Sequence, residues 1–271
     1  MKKSFLFSLC ALCLMGCDPN SPSRSSLSTN ENFNPKGFSI NDTTVVYFSP
    51  GNLQYNPLAG TWRFATYQTD TIGSRNQNIA ATYDGWIDLF GWGSGEDPLS
   101  CAKDAKFAEW GKNHILNGGN YEWFTLSQAE WNYVLFGRSH LAFRALVNGQ
   151  RGVIVLPDAF ERPDSLYYEE ANNKKKWSLE NNRLSEEEWL KMEANGAVFL
   201  PLTGWREGTE FIYDHKRGTY WSRTYDESGR AYEVTMLEKY DSDEKEYRYS
   251  LSASKSLDIS MGVGVRLVRK I

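Results

Sequence analysis

The chain has 271 residues, of which 41% are hydrophobic, 24% charged and 14% aromatic, and its formal net charge is −4. That balance excludes a multi-span membrane protein and a mostly disordered chain, and the acidic sum argues against a broad nucleic-acid footprint. Ten Trp and fifteen Tyr favour a β-containing core or a recognition surface over a helical bundle.

The N-terminus reads as an address. Lys2 and Lys3 precede an apolar run from Ser4 to Leu14, too short to span a bilayer but of the length of a secretory h-region. Leu14-Met15-Gly16-Cys17 then resembles the lipobox of bacterial lipoproteins, in which cleavage falls just before a Cys that is lipidated. The reading is a signal peptide over 1–16 and lipidation at Cys17, the alternative being a plain secretory signal cleaved elsewhere. Acyl chains add roughly 0.8 kcal/mol of membrane attachment per buried CH₂, so several hold stably. The expected location is the cell envelope, as a membrane-anchored lipoprotein of the outer membrane on its surface or periplasmic face. Removing 1–16 takes Lys2 and Lys3 away and the formal charge to −6, and leaves only Cys17 and Cys101. With Cys17 acylated no internal disulfide remains, and a lone Cys101 reads as a small packed hydrophobe. Residues 17–35, rich in Ser, Asn and Pro, read as a flexible tether.

Residues 36–271 read as a single domain, with 36–100 as its N-terminal part. Thr44 to Phe48 is a β-branched and aromatic run closed by the turn Ser49-Pro50-Gly51-Asn52, and Thr61 to Phe64 is a second strand. The Gly-Trp stretch holding Trp86, Leu89, Phe90 and Trp92 reads as a packed loop rather than a binding loop. Near-helical spacing of Phe107, Trp110, His114 and Ile115 predicts a helix over 103–116. Ser127 to Glu130 fits a capping box ahead of an apolar stripe at Trp131, Val134 and Leu135. Ser185 to Glu188 fits another, with acids in the first turn, Trp189 and Met192 on the buried side and Asn195-Gly196 as the stop. Strands are expected at Gly152 to Leu156, Ala197 to Leu200, Tyr220 to Thr224, Ala231 to Leu237 and Val263 to Val268. Residues 161–184, with Lys174-Lys175-Lys176, read as an exposed insertion.

Three stretches carry a resemblance. Trp123-Phe124-Thr125-Leu126-Ser127-Gln128-Ala129-Glu130-Trp131 resembles the R-L-P-T-E-A-E-W segment of the formylglycine-generating (sulfatase-modifying factor) superfamily. Gly218-Thr219-Tyr220-Trp221-Ser222-Arg223-Thr224 is similar to its G-x-Y-W-S-S-T, and Gly264-Val265-Arg266-Leu267-Val268 to its closing G-F-R-L-V strand. The order and approximate spacing match over residues 105–271. The resemblance implies a C-type-lectin-like α+β domain: small antiparallel sheets, two or three helices and long irregular loops. Residues 44–92 are similar to secreted lipoproteins of gut-type Bacteroidetes, which bears on location and not on activity.

The same resemblance argues against catalysis. The family's enzymes hold copper on a pair of cysteines near the C-terminal end, and no Cys follows Cys101. Its iron-dependent relatives use clustered His, whereas His114, His140 and His215 stand apart. No nucleophile elbow, phosphate-binding P-loop or zincin motif is present, and nothing selects a glycosidase pair among the 34 acids. Asp42, Asp84, Asp88 and Glu96 lack EF-hand spacing and read as solvated or loop-capping groups, so no metal or other cofactor is expected.

Binding is the remaining reading. In non-catalytic relatives of this fold the loops of the C-terminal half display ligand surfaces, and the matching segment here is 205–249. Its Trp, Tyr and Arg residues are the types enriched at interface hot spots. The candidate ligand-binding residues are Trp205, Arg206, Arg223, Tyr225, Arg230, Tyr232 and Arg248, with Trp221 read as core. The expected partners are the membrane, through the lipid, and a protein or glycan ligand, with no nucleic acid. The alternatives are a glycan-active envelope enzyme, a structural accessory of an envelope complex, or a diversified protein whose hypervariable stretch runs from Trp221 to Ser260.

Overall fold

A computed structural model describes residues 34–170, 182–213, 216–226, 228–242 and 246–271, without the side chains of 239–241 and 246–248. The β-branched run near residue 46 forms the strand Val45–Phe48, whose alternation sends Val46 and Phe48 inward. It sits in a four-stranded antiparallel sheet in the order Phe38–Ser39, Val45–Phe48, Leu267–Lys270, Trp123–Thr125. Val268 is the hinge of the register, paired with Phe48 on one side and Phe124 on the other. The turn after Phe48 leads into a hairpin of Leu53–Asn56 and Thr61–Phe64, with Tyr55 opposite Trp62. Gly51 is required here, because a Cβ would run into the Ala65 carbonyl.

Helix α1, Gln128–Asn132, starts at the expected box: Ser127 Oγ accepts from the Glu130 N–H at 3.3 Å, and Glu130 Oε2 accepts from the Ser127 N–H at 2.7 Å. A π-helical turn, Tyr133–Gly137, continues it, and Trp131, Val134 and Leu135 are fully buried together. The central sheet runs Arg183–Leu184, Phe143–Val147, Gln150–Val155, Val198–Pro201, the first pair parallel and the others antiparallel. Asn148 and Gly149, both at positive φ, close the hairpin within it. Helix α2, Glu186–Ala194, begins at the Ser185 box and buries Trp189 and Met192.

The C-terminal third builds the long sheet: Arg217–Tyr225, Arg230–Asp241 and Glu246–Asp258, all antiparallel. A smaller antiparallel sheet joins Glu210–Ile212, Trp205–Glu207 and Met261–Gly262. The architecture is therefore α+β and mostly β, small antiparallel sheets with few helices.

A buried polar chain ties these sheets together. Arg266 is fully buried and donates to Gln68 Oε1 at 2.6 Å and Asn52 Oδ1 at 3.3 Å. Gln68 in turn donates to Glu193 of α2 at 2.9 Å and to the Ala197 carbonyl, while Asn52 donates to the Tyr220 hydroxyl at 3.1 Å. Tyr220 passes the chain on to the Pro201 carbonyl at 2.9 Å. Buried polar groups cost free energy unless paired, and here the pairing partners lie on the hairpin side, α2, the central sheet, the long sheet and the lead-in to the last strand.

Several expectations are corrected. Residues 103–116 form no long helix; only a 3₁₀ turn, Trp110–Lys112, is present. Phe107, Trp110 and Ile115 still pack inward, but from a loop bridged to Gly93 and Trp62, and a Cβ on Gly111 would strike the Trp123 carbonyl. The stretch 161–184 is not simply exposed. Leu166, Tyr168, Asn182 and Leu184 are buried, with Tyr168 stacked on Phe143 at 5.1 Å. Its three consecutive Lys lie outside the described residues, as do Cys17 and the whole signal and tether. The closing strand starts only at Leu267, because Val263 and Gly264 instead bridge to Phe90 and Tyr220.

Candidate functional site

The long sheet has two differently used faces. Side chains alternate along its strands, so Tyr220, Val234, Met236 and Ala253 enter one apolar cluster while Trp221, Ala231 and Leu257 enter another. Trp221 is fully buried and its indole donates to the Phe90 carbonyl at 2.7 Å, which fits its reading as core. On the Trp221 side the register places Glu233 opposite Lys255, Thr235 opposite Thr219, and Leu237 opposite Arg217. A shift between Glu233 and Thr235 breaks the regular ladder there. Beyond the reach of the apolar cluster this face opens into a cavity of about 290 Å³ whose walls include Arg217, Arg230, Glu233, Thr235, Lys255 and Leu257.

The chemistry of that cavity is lopsided. Arg217, Arg230 and Lys255 bring three cations, Glu233 one carboxyl. Glu233 is buried and its Oε1 accepts from Arg217 at 3.4 Å, while its Oε2 and the Thr235 hydroxyl are buried neighbours that make no well-formed hydrogen bond. Burial pushes the Glu233 carboxyl above the usual carboxylate range, with Thr235, Arg217, Lys255 and Arg230 opposing. Arg217 also lies over the Trp205 ring at 4.9 Å.

The sequence candidates distribute unevenly around this sheet. Arg230 is exposed and donates from Nη2 to the Ser256 carbonyl at 2.7 Å and from Nε to its hydroxyl at 3.3 Å. Tyr225 is 48% exposed and stacks on Trp92, ring centroids 5.0 Å apart. Tyr232 is half-buried. Arg223 pairs with Glu130 of α1 at 2.9 Å and donates to the Thr125 carbonyl at 3.2 Å, so it braces the α1 N-terminus. Trp205 is half-buried, its indole donating to Glu207 at 3.0 Å. Arg206 contradicts a surface role. It is fully buried, donates to the Gly208 carbonyl and to the Leu89 carbonyl at 3.2 Å, and so pins two loops. The side chain of Arg248 lies outside the described residues.

Other buried charges are structural. Asp88, expected as a loop-capping group, accepts from Asn76 at 2.7 Å and from the Ile72 N–H at 3.0 Å, and burial raises its carboxyl to about 6. Arg144 stacks over Tyr249 at 3.4 Å and lies 3.6 Å from Glu238, which also takes Arg151 at 2.7 Å and the Tyr249 hydroxyl at 2.8 Å. Burial lowers both Arg144 and Arg266 to about 10, and pushes the Tyr220 phenol upward. His140 sits 3.2 Å from Glu170, and Cys101 is a half-buried free thiol.

A larger open groove, about 740 Å³, lies elsewhere, between the 109–124 strip and Lys270. Tyr121, 55% exposed, lines it, and the Arg269 guanidinium lies over that ring at 3.8 Å. Sequence reasoning did not find this groove; the Gly118-Gly119-Asn120 turn just ahead of an exposed Tyr was the available signal. Its Glu109 carboxylate is engaged by the Thr125 N–H and hydroxyl at 3.0 and 2.6 Å.

Among the described residues no helix is long and apolar enough to cross a membrane, and no three His, Cys, Asp or Glu gather as a metal-holding group. Compared with protein-family models, with curated proteins and with solved structures, the chain matches none.

Proposed function

We propose that the chain is a lipid-anchored binding module of the bacterial cell envelope, with a C-type-lectin-like domain that recognises a protein or glycan through its C-terminal segment and carries out no chemistry. One observation supports this most: a single sheet, built from 217–258, presents the stacked Tyr225, the surface Arg230 and a cationic cavity around a buried carboxyl. Aromatic and Arg side chains on a rigid support are what hot spots are made of. The closing strand Leu267–Lys270 pairs with Val45–Phe48, and two boxed helices lie between them in the sequence.

The test is a screen of the full chain against arrayed glycans and envelope extracts, with and without calcium. The triple variant Tyr225→Ala, Arg230→Ala, Tyr232→Ala is expected to lose binding by tenfold or more, about 1.4 kcal/mol. Binding unchanged in that variant removes the site assignment. Incorporation of labelled fatty acid that disappears in Cys17→Ser supports the anchor, and its absence from the parent chain removes it.

A further inference from the structure

Resting on the binding-module reading, we propose that the long-sheet cavity takes one acidic sugar unit of the uronic-acid type, its carboxylate met by Arg230 and Lys255 and its hydroxyls by Glu233 and Thr235. Three features of the cavity select that chemistry.

The charge sum comes first. Arg217 is engaged with Glu233, and Arg230 is shared with Asp258, so the lining keeps a positive excess carried by Lys255 and in part by Arg230; an anion is favoured and a free ammonium group is repelled. The unpaired atoms come next. Glu233 Oε2 and the Thr235 hydroxyl lie beside each other without a well-formed hydrogen bond, and such groups retain bonding capacity that a donor or acceptor of a ligand would use. A simple oxyanion offers Glu233 no proton to accept, whereas a neutral hydroxyl does so without adding positive charge. Size is the third. About 290 Å³ lies at the small end of ligand cavities, on the order of 300 Å³, and suits one ring rather than an extended peptide. Leu237 and Leu257 supply apolar wall for the ring's C–H edges. Lys255 is exposed, so its flexible arm is free to swing aside and close again over a bound carboxylate.

The experiment is an NMR titration of the full chain in detergent with sodium glucuronate, glucose, acetate, inorganic sulfate and glycine. Glucuronate is expected to bind at least about tenfold more tightly than each of the others, as charge-assisted and neutral hydrogen bonds combine. Glu233→Gln and Lys255→Ala are each expected to weaken glucuronate about tenfold or more, while Leu58→Ala, at an exposed position outside the cavity lining, leaves it unchanged. Melting curves confirm folding, and Lys255, at an exposed position, keeps the test decisive if Glu233→Gln folds poorly. Acetate or sulfate equal to glucuronate overturns the sugar, and tighter glycine replaces it with an amino acid. Glucuronate binding that ignores both substitutions moves the site away from this cavity. If no small probe binds while Tyr225→Ala still weakens a glycan or envelope ligand, the acidic-sugar proposal fails and the binding module stands. If neither is seen, both fail.

Discussion

Two buried polar regions of this molecule, around Arg266 and around Glu233, are built on different terms. Around Arg266 the donors and acceptors of Gln68, Asn52, Glu193, Tyr220 and the Pro201 carbonyl are joined into a chain that crosses much of the sequence. Around Glu233, a carboxylate oxygen and the neighbouring Thr235 hydroxyl are just as buried but make no well-formed hydrogen bond. Both regions cost desolvation; the first recovers most of it internally, with only Arg266 Nε left unpartnered, and the second recovers less. The difference is one of use: a nearly complete polar network specifies how sheets dock, while a less complete one keeps bonding capacity that the proposed ligand would draw on.

The sharpest way to break that comparison is at Arg266. Arg266→Ala takes the buried guanidinium from Asn52 Oδ1 and from Gln68 Oε1, which keeps only the Phe199 N–H, and is expected to lower unfolding free energy by about 3–5 kcal/mol, read by urea denaturation. A change below about 1 kcal/mol would show that the network is tolerated rather than structural.

Asp88 supplies the next effect, because its carboxyl is fully hydrogen-bonded yet raised by burial to about 6 from an ordinary 3.8. Between those two values the folded chain holds a proton that the unfolded chain has released, so this group's contribution rises as pH falls through about 6 and is complete near 4. Relative to Asp88→Asn, which does not titrate there, the parent is expected to gain on the order of 2 kcal/mol between pH 7 and pH 4. Parallel thermal melts across that range check it; identical pH profiles would remove the burial argument.

Ser185→Ala takes the side-chain acceptor from the start of α2 and is expected to cost about 1 kcal/mol, measured by chemical denaturation. The smallest effect carries the opposite sign. Thr235→Val replaces an unpaired buried hydroxyl with a methyl group, so stability is expected to hold or rise by up to about 1 kcal/mol while glucuronate binding weakens. A clear loss of stability would mean that the hydroxyl is satisfied in solution, and that the two regions are alike after all.

What was legible in the sequence was whatever local chemistry decides. Ser127 with Glu130 and Ser185 with Glu188 declare their helices because both halves of each box lie within four residues. Thr61 to Phe64 and the run ending at Phe48 show their strands by residue type alone. The 103–116 stretch misled because Phe107, Trp110 and Ile115 have helical spacing, while the contacts that fix their backbone come from Gly93, Trp62 and Trp123, far along the chain. The strand Glu246–Asp258 escaped because a register shift within it turns Leu251 and Ala253 to one face and Lys255 and Leu257 to the other, so no single alternation runs along its sequence. The candidate site shows the same limit. Trp, Tyr and Arg pointed to the third of the chain that builds the long sheet, but residue type could not separate the buried Arg206 from the surface Arg230. Glu233 and Thr235 gave no signal, because an unpaired atom is a property of the packed fold.

The pairing of Val45–Phe48 with Leu267–Lys270 has a topological consequence. A Cβ placed on Gly37 would lie 3.3 Å from the Ile271 side chain, so the two ends of the folded domain touch. In space residues 37–271 therefore nearly close on themselves as a loop. A few Gly and Ser residues joining 271 to 36 would complete it, and a new opening at the exposed turn around Ser228 would yield a circular permutant with every sheet intact.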